Sequence, residues 1–307
     1  MKVIDHIKRA DSTLISFEIT PPKREGSLND VLEPVERLQK YNPSFIDVTY
    51  HPIRIEYEEN EGGIEKILRR KNMGTRSICS SIQRSGIDAV SHVLCRGFTK
   101  GETEEYLRET QFDGINNILV VQGDDTGYRR PKEKGVKIFE HSSEMIPYIK
   151  ESFGNYFCIG VAGYPEKHYC SPNPETDLKY LKQKVDTGAD YIVTQMVFDN
   201  KRLFEFIDKC RKNNIEVPII PGLKPILKKS QFTSIPKNFY VDIPLEISEK
   251  IDNSTKEEIV KIGIEELTKQ AQELINNKFP VLHFFVYEKQ DPEAISQVLD
   301  NLNFKKS

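Results

Sequence analysis

Glu18, Asp124 and Gln195 are polar residues that stand within or just after short apolar segments, where a side chain could take part in chemistry. A carboxyl group among apolar neighbours tends to have a raised pKa, so Glu18 is a candidate general acid. A buried amide needs hydrogen-bond partners, and a bound ligand could supply them for Gln195. The alternatives are an ion pair with Lys or Arg for Glu18 and an ordinary turn for Asp124.

A second set of polar residues shares one face of a predicted helix. Asn173 can cap this helix and Pro174 can be its first residue. Asp177, Tyr180 and Lys184 follow at spacings of three and four residues, which places them on a common face. By itself this pattern is typical of a solvent-exposed polar face, and it becomes a candidate binding surface only with further evidence.

The remaining chemistry-bearing residues give weaker patterns. A single histidine in an apolar strand, such as His92, is more often a core residue than a catalyst. Residues of metal-ligand type are present, but their spacing matches no closed zinc motif, so no metal site is expected; they are Cys79, His92, Cys95, His168 and Cys170. No Gly-x-Gly-x-x-Gly motif follows a predicted strand, which argues against a Rossmann domain for a nicotinamide cofactor.

Short segments rich in Val, Ile, Leu and Phe alternate with helical periodicity along the whole chain, as parallel strands covered on both faces require. The eight predicted strands are Leu14–Ile19, Phe45–Tyr50, Val90–Cys95, Asn117–Gln122, Phe157–Ala162, Tyr191–Val197, Val217–Pro221 and Val281–Tyr287. Eight strand–helix units predict a TIM (β/α)8 barrel, with an open doubly wound sheet as the alternative. In such a barrel the strand ends that carry these polar residues form the active-site face.

Three helices are predicted from apolar periodicity over Asn29–Tyr41, Ser77–Ser85 and Lys256–Asn277. Residues 54–70 interrupt the alternation of strands and helices, because two runs of alternating polar and apolar residues surround Glu-Gly-Gly. This pattern predicts a β-hairpin inserted after the second strand and outside the barrel.

Composition excludes several classes of protein. With 307 residues, 37% hydrophobic and 30% charged, the chain fits a single folded domain over residues 1–307. A formal net charge of −3 gives no general attraction to nucleic acid or to an anionic membrane. Five scattered cysteines, no apolar core of a signal peptide and no apolar run of spanning length favour a cytoplasmic protein.

With the strand ends in order, the chain resembles bacterial methylenetetrahydrofolate reductases over nearly its whole length. The matching segments are SFEITPPK (16–23), DVTY (47–50), SHVLC (91–95), ILVVQGDDTGY (118–128), GYPEKH (163–168), DLKYLKQKVDTGADYIVTQMVFD (177–199) and IIPGLKP (219–225). The resemblance implies one catalytic TIM barrel that holds FAD, with NADH or NADPH and folate alternating at the flavin face.

The resemblance also implies roles for individual residues. Glu18 matches the proton donor, Asp124 a carboxylate near flavin and folate, and Gln195 a folate contact. The implied flavin or nucleotide positions are Thr49, Tyr50, His92, Gly123, Ser142, Tyr164, His168, Asp177 and Lys184. The polar face of the Asp177–Lys184 helix is thereby expected to contact the cofactor.

This sequence departs from the family pattern at several positions. Gln122 stands where an arginine is usual, which removes a cation near the FAD pyrophosphate or isoalloxazine, and Tyr180 replaces a frequent asparagine on the cofactor-facing helix. An aromatic residue expected after the seventh strand is absent from the region of Lys228 and Lys229. Lys289 replaces an arginine that helps to hold folate, and lysine is a poorer bidentate partner.

The activity implied is ping-pong reduction of 5,10-methylenetetrahydrofolate to 5-methyltetrahydrofolate in one-carbon and methionine metabolism. The chain ends soon after the last predicted barrel unit, so the C-terminal regulatory domain of eukaryotic relatives is expected to be absent, and the protein is expected to be a homo-oligomer. The alternatives are another FAD barrel oxidoreductase, similar to proline dehydrogenase, and a flavin-free folate-binding barrel that serves as a methyltransferase or carrier.

Overall fold

A computed structural model describes residues 1–128, 130 and 134–304, and its described part contains a closed parallel barrel of eight strands. The barrel strands in chain order are β1 (Leu14–Ile19), β2 (Phe45–Val48), β5 (Asp88–Leu94), β6 (Asn117–Val121), β7 (Cys158–Gly163), β8 (Tyr191–Met196), β9 (Ile219–Leu223) and β10 (Val281–Val286). β1 pairs with both β10 and β2, which closes the barrel. The predicted TIM barrel is therefore confirmed, and the open doubly wound sheet is excluded.

The predicted insertion after the second barrel strand is confirmed. β3 (Ile53–Asn60) and β4 (Gly63–Arg70) form a separate two-stranded antiparallel sheet. Gly63 takes a φ of +124° at the turn, a conformation that glycine adopts without strain. The exposed residues of both strands show that the hairpin lies outside the barrel core.

Most helices follow a strand and cover the outer surface of the barrel, whereas α1 precedes β1. They are α1 (Val3–Arg9), α2 (Asn29–Gln39), α3 (Thr75–Arg84), α4 (Lys100–Phe112), α5 (Ser142–Phe153), α6 (Pro174–Asp186), α7 (Asn200–Lys212), α8 (Gln231–Phe239), α9 (Leu245–Asp252), α10 (Lys256–Asn276) and α11 (Asp291–Asn301). Asn173 caps α6 by accepting a hydrogen bond from the Thr176 amide, as its sequence predicts. None of the helices in the described residues is both long enough and apolar enough to cross a membrane.

The lower interior of the barrel is apolar. Phe45, Val90, Tyr191 and Val281 are buried there, and Val3 of α1 packs against the same cluster. Towards the carboxyl ends of the strands the inward side chains become polar. The register of β1 and β2 places Glu18 beside Asp47 there. A polar layer under the carboxyl ends of the strands is where this fold places its chemistry.

Most predicted boundaries differ from the observed ones by one or two residues, as expected at frayed ends. The seventh barrel strand is the clearest case, since it runs over Ile219–Leu223 rather than over residues 217–221. Two short helices, α8 and α9, were not predicted from the sequence. They pack with residues around β8 to β10, including Met196, Phe198 and Phe285, in a satellite core.

Candidate active site

Four side chains meet inside the barrel mouth, and we call them the interior cluster: Glu18, Asp47, His92 and His283. They come from β1, β2, β5 and β10, and their exposed fractions are 4%, 0%, 6% and 0%. The Nε2 atom of His92 lies 3.5 Å from Glu18 Oε2 and 3.5 Å from Asp47 Oδ2. His283 Nε2 lies 3.7 Å from Glu18 Oε2. Two carboxyl groups and two imidazoles therefore share one buried space.

Hydrogen bonds fix the rim of this cluster. The Tyr287 hydroxyl donates to Glu18 Oε1, and His283 Nδ1 is 2.8 Å from the Ser16 hydroxyl. By contrast, both carboxyl oxygens of Asp47 are buried without a hydrogen-bond partner among the described residues. Such a group is costly unless a charge compensates it, and the His92 imidazole, 3.5 Å from Asp47 Oδ2, can supply that charge.

The expectation of a raised pKa at Glu18 is wrong. Burial alone would raise this pKa, but His92, His283 and the Tyr287 hydrogen bond outweigh burial and hold it below its ordinary value. Although burial lowers the pKa of His92, the charges of Glu18 and Asp47 raise it above the usual range. Burial raises the pKa of Asp47. The cluster therefore favours a Glu18 carboxylate beside a His92 imidazolium, which is a stored proton next to Glu18.

The carboxylate oxygens and imidazole nitrogens of the interior cluster are also atoms of the kind that coordinate divalent cations. One donor atom each of Glu18, Asp47 and His283 lies within 4.8 Å of the other two. This set differs from the cysteine and histidine residues weighed for a metal site in the sequence. Glu18 already has Tyr287 as a hydrogen-bond partner, and His283 has Ser16. A hydrogen-bonded cluster that stores a proton is therefore enough to explain why these side chains meet.

A cleft opens beside the barrel mouth, between the ends of β6 and β7 and helices α5 and α6, and we call it the α5–α6 cleft. It brings together seven of the residues predicted to bind a cofactor: Gln122, Ser142, Tyr164, His168, Asp177, Tyr180 and Lys184. Residues from four separate elements thus line one space. The polar face of α6 is turned towards this cleft and is not simply solvent-exposed.

Charged groups in the α5–α6 cleft are held in fixed positions. Asp177 accepts hydrogen bonds from the His168 amide at 3.2 Å and from the Ser171 hydroxyl at 2.7 Å. Lys184 donates to the Ala162 carbonyl at 2.7 Å, and burial lowers its pKa to about 8. Tyr164 contacts His168 edge to face, with ring centroids 4.7 Å apart. A cation that is buried beside an open cleft suits an anionic ligand.

Gly123 and Asp124 follow the end of β6, at the edge of this cleft. Gly123 has a φ of +89°, a left-handed conformation that favours glycine and leaves its backbone open to close approach. Asp124 is exposed, and its charge contributes to the pKa values of His51, Tyr164 and Tyr287. Asp124 therefore lies between the α5–α6 cleft and the interior cluster.

Besides His92 in the interior cluster, two further predicted residues, Tyr50 and Thr49, lie apart from the cleft. Tyr50 stacks on Tyr106 at 5.1 Å and on Phe98 at 5.4 Å, and Arg70 lies 4.9 Å from its ring centroid. Its side chain thus lines a different cavity, between α3 and α4. Thr49 is nearly buried, and its hydroxyl lies 3.1 Å from His51 Nε2.

The predicted folate residues lie at the ends of β8 and β10. Gln195 is only half-buried, and its side-chain carbonyl accepts a hydrogen bond from the Met196 amide at 2.9 Å. The Gln195 side chain is therefore less buried than expected, and its carbonyl oxygen already has a hydrogen-bond partner within the protein. Lys289 is exposed after β10. Lys228 pairs with Glu288, and Lys229 pairs with Asp252 at 3.0 Å.

Sequence reasoning did not single out Asp47, His283 or Tyr287. The available signal was the same as for Glu18, namely a polar residue inside an apolar strand or at its end. The pairs Ser16–His283 and Glu18–Asp47 become neighbours only through the strand register. That register depends on closing the barrel, which the sequence does not specify by itself.

This chain is similar to known proteins over nearly its whole length. The family model described as "Methylenetetrahydrofolate reductase" matches residues 2–303. A Caenorhabditis elegans probable methylenetetrahydrofolate reductase (NADPH) is 28% identical over 95% of this chain and 42% of its own length. An Arabidopsis thaliana methylenetetrahydrofolate reductase (NADH) 1 is 30% identical over 98% of this chain and 51% of its own length.

The chain thus spans about half the length of the curated relatives it matches. A solved Clostridium thermocellum protein that binds two copies of 5-methyl-5,6,7,8-tetrahydrofolic acid shares the fold. It has a TM-score of 0.63 at 17% identity and covers 97% of this chain and 98% of its own. The match over residues 2–303 shows that this chain belongs to the methylenetetrahydrofolate reductase family.

Proposed function

We propose that this protein reduces 5,10-methylenetetrahydrofolate to 5-methyltetrahydrofolate, with FAD as cofactor and NADH or NADPH as electron donor in a ping-pong cycle. The observation that carries the proposal is the interior cluster, a buried proton store at the barrel mouth beside an open cleft. Opening the methylene bridge of the substrate requires a proton at N10, and Glu18 is the member of the cluster at the end of β1.

The residues of the α5–α6 cleft fit FAD. Lys184 offers a buried cation for an anionic cofactor, and the backbone at Gly123 permits close approach of a planar or phosphate group. When bound, FAD would carry hydride between the nicotinamide nucleotide and the one-carbon unit of folate. The sequence patterns of NADH-named and NADPH-named relatives both match this chain, so the proposal leaves the donor open.

The protein itself would hold and move protons and position the substrate. The proton held by the His92 imidazolium, 3.5 Å away, would pass to the Glu18 carboxylate, and Glu18 would deliver it to N10. A carboxylate at Asp124 would favour the 5-iminium cation that ring opening leaves on the folate. Gln195 and Lys289, at the ends of two further strands, would contact the folate.

The proposal is tested by the absorbance spectrum of the purified protein and by the substrate that reoxidises its reduced flavin. A flavin spectrum with rapid reoxidation by methylenetetrahydrofolate is expected. A colourless protein that does not take up FAD would support the flavin-free methyltransferase or carrier instead. Reoxidation by a proline-derived or other electron acceptor, but not by the folate, would support a different FAD barrel oxidoreductase.

Replacing Lys184 with alanine should weaken flavin retention about 10-fold to 100-fold, because a charge-assisted contact of about 1.5–3 kcal/mol is lost. Flavin content after ultrafiltration measures the effect. Lys182→Ala is the matched control, since Lys182 lies on the same helix but pairs with Asp186. Because the pKa of Lys184 is about 8, flavin retention in the unchanged protein should also weaken above that pH. Equal flavin content in both variants would remove Lys184 from the site.

Replacing Asp47 with asparagine should shift the loss of folate reduction at high pH towards lower pH. A stored proton is lost as pH rises through the pKa of the group that holds it, and the charges of Glu18 and Asp47 raise the pKa of His92. Asparagine keeps the shape but removes the charge, so the proton leaves at lower pH. The pH profile of flavin reoxidation by folate measures this, with flavin reduction by NAD(P)H as internal control. An unshifted profile would show that Asp47 does not support the proton store.

A further inference from the structure

Arg96 is a basic residue at the barrel mouth, outside the interior cluster. It follows β5, and its amide donates a hydrogen bond to the Gln122 carbonyl at 2.9 Å, just as Cys95 bonds to Val121 at 3.1 Å. The β5–β6 pairing therefore continues past the ends of both strands. As a result, Arg96 and Gln122 stand side by side at the edge of the α5–α6 cleft.

The guanidinium of Arg96 has a hydrogen bond with the Tyr169 side chain but no close carboxylate partner among the described residues. Its side chain is 20% exposed, and the nearest carboxyl oxygen is Asp125 Oδ2, 3.9 Å from Nη1. Charge-assisted hydrogen bonds are about 2.7–2.9 Å long, so this contact is too distant to be one. The Nη1 atom is buried and has no hydrogen-bond partner among the described residues. An unpaired buried donor is costly, and an anionic ligand would relieve the cost.

Arg96 also lies near the other cation of the site. Arg96 and Lys184 both act on the pKa of His168 and on that of Cys95, although burial is the largest cause of both shifts. The two cations are therefore within electrostatic reach of the same two side chains. Arg96 and Gln122 together line a cavity that borders the α5–α6 cleft, since Gln122 lines both.

We propose that Arg96, which follows β5, binds a phosphate group of FAD. Arg96 supplies the positive charge that the neighbouring Gln122, which follows β6, lacks. This assignment rests on the proposed function. A guanidinium offers paired donors that match phosphate geometry, and the adjacent Gly123 lets the backbone approach the same group. Arg130 lines the same cavity but is already paired with Glu102 at 2.7 Å, so it is not available in the same way.

The test compares two flavins on flavin-depleted full-length protein. FAD carries the pyrophosphate and riboflavin lacks it, so fluorescence titration of both separates phosphate binding from ring binding. Arg96→Gln should raise the Kd for FAD about 10-fold to 100-fold and leave the Kd for riboflavin unchanged. The double variant Arg96→Gln/Gln122→Arg should recover most of the FAD affinity, because it moves the cation to the neighbouring strand end. Arg130→Gln is the control and should change neither value.

Each outcome has a distinct meaning. Unchanged FAD affinity in Arg96→Gln would overturn the assignment, and so would an equal loss of FAD and riboflavin, which indicates a structural role. The double variant could instead bind riboflavin normally and fail to recover FAD affinity. The positive charge would then be needed at position 96, and the claim that position 122 can carry it would be wrong. If the unchanged protein binds neither flavin, the proposed function itself fails, and this assignment fails with it.

Discussion

Replacing Glu18 with glutamine should nearly abolish reduction of methylenetetrahydrofolate and leave flavin reduction by NAD(P)H much less affected. Ring opening needs a proton at N10, whereas hydride transfer from a nicotinamide does not. Glutamine keeps the size and polarity of the side chain and can still contact Tyr287, but it has no proton to deliver. General acid catalysis typically contributes about 10²-fold to 10⁴-fold, which is the expected loss in the folate half-reaction.

Stopped-flow absorbance of the two half-reactions measures this difference directly. Glu166→Gln is the informative control, because burial raises the pKa of Glu166 to about 7 and makes it a rival acid near the end of β7. We expect Glu166→Gln to retain the folate half-reaction. If instead it loses that step while Glu18→Gln retains it, Glu166 is the acid. Equal slowing of both half-reactions in Glu18→Gln would indicate a structural or electronic role.

The sequence predicted the position of Glu18 but not its electrostatics. A carboxyl group flanked by Phe17 and Ile19 suggests desolvation and a raised pKa, and Glu18 is indeed buried. Two histidines reach it from β5 and β10, far away along the chain, and they reverse the direction of the shift. The effect of neighbouring charges depends on strand register, so it is accessible only after the barrel is closed.

The architecture was easier to predict, because each parallel strand is buried on both faces and reads as a continuous apolar run. The inserted hairpin was equally clear, since alternation around Gly-Gly is a local signal. Helices α8 and α9 gave no such signal. They are short, and Pro236 lies inside α8 and Pro244 precedes α9, so their stability comes from tertiary packing that no local pattern records.

The polar face of α6 shows how far periodicity alone can lead. Spacing placed Asp177, Tyr180 and Lys184 on one face but could not distinguish a solvated face from a binding surface. In the structure Lys184 is buried against the Ala162 carbonyl, while Tyr180 remains 51% exposed at the edge of the cleft. The difference arises because Lys184, near the end of the helix, reaches the end of β7, and this depends on how α6 packs on the barrel.

The second large effect is expected at a buried ion pair that supports the site. Lys224, which follows β9, and Asp291, the first residue of α11, pair with exposed fractions of 4% and 0%. Asp291 Oδ2 also accepts hydrogen bonds from the amides of Tyr287 at 2.9 Å and Glu288 at 2.8 Å. The same carboxylate thus holds the backbone of the residue whose hydroxyl contacts Glu18.

Replacing Asp291 with asparagine should lower the free energy of unfolding by about 3–5 kcal/mol, because it leaves the Lys224 ammonium buried without its counter-charge. Lys224→Met should cost less, since two backbone amides still pair with Asp291. The double variant Lys224→Met/Asp291→Asn removes both charges and should recover much of the loss. Urea denaturation measures the free energy of unfolding of all three variants, and they can be compared when the slope of that free energy against urea concentration is the same. If Asp291→Asn fails to fold, the double variant should still fold, and a double variant no more stable than Asp291→Asn would contradict the ion-pair argument.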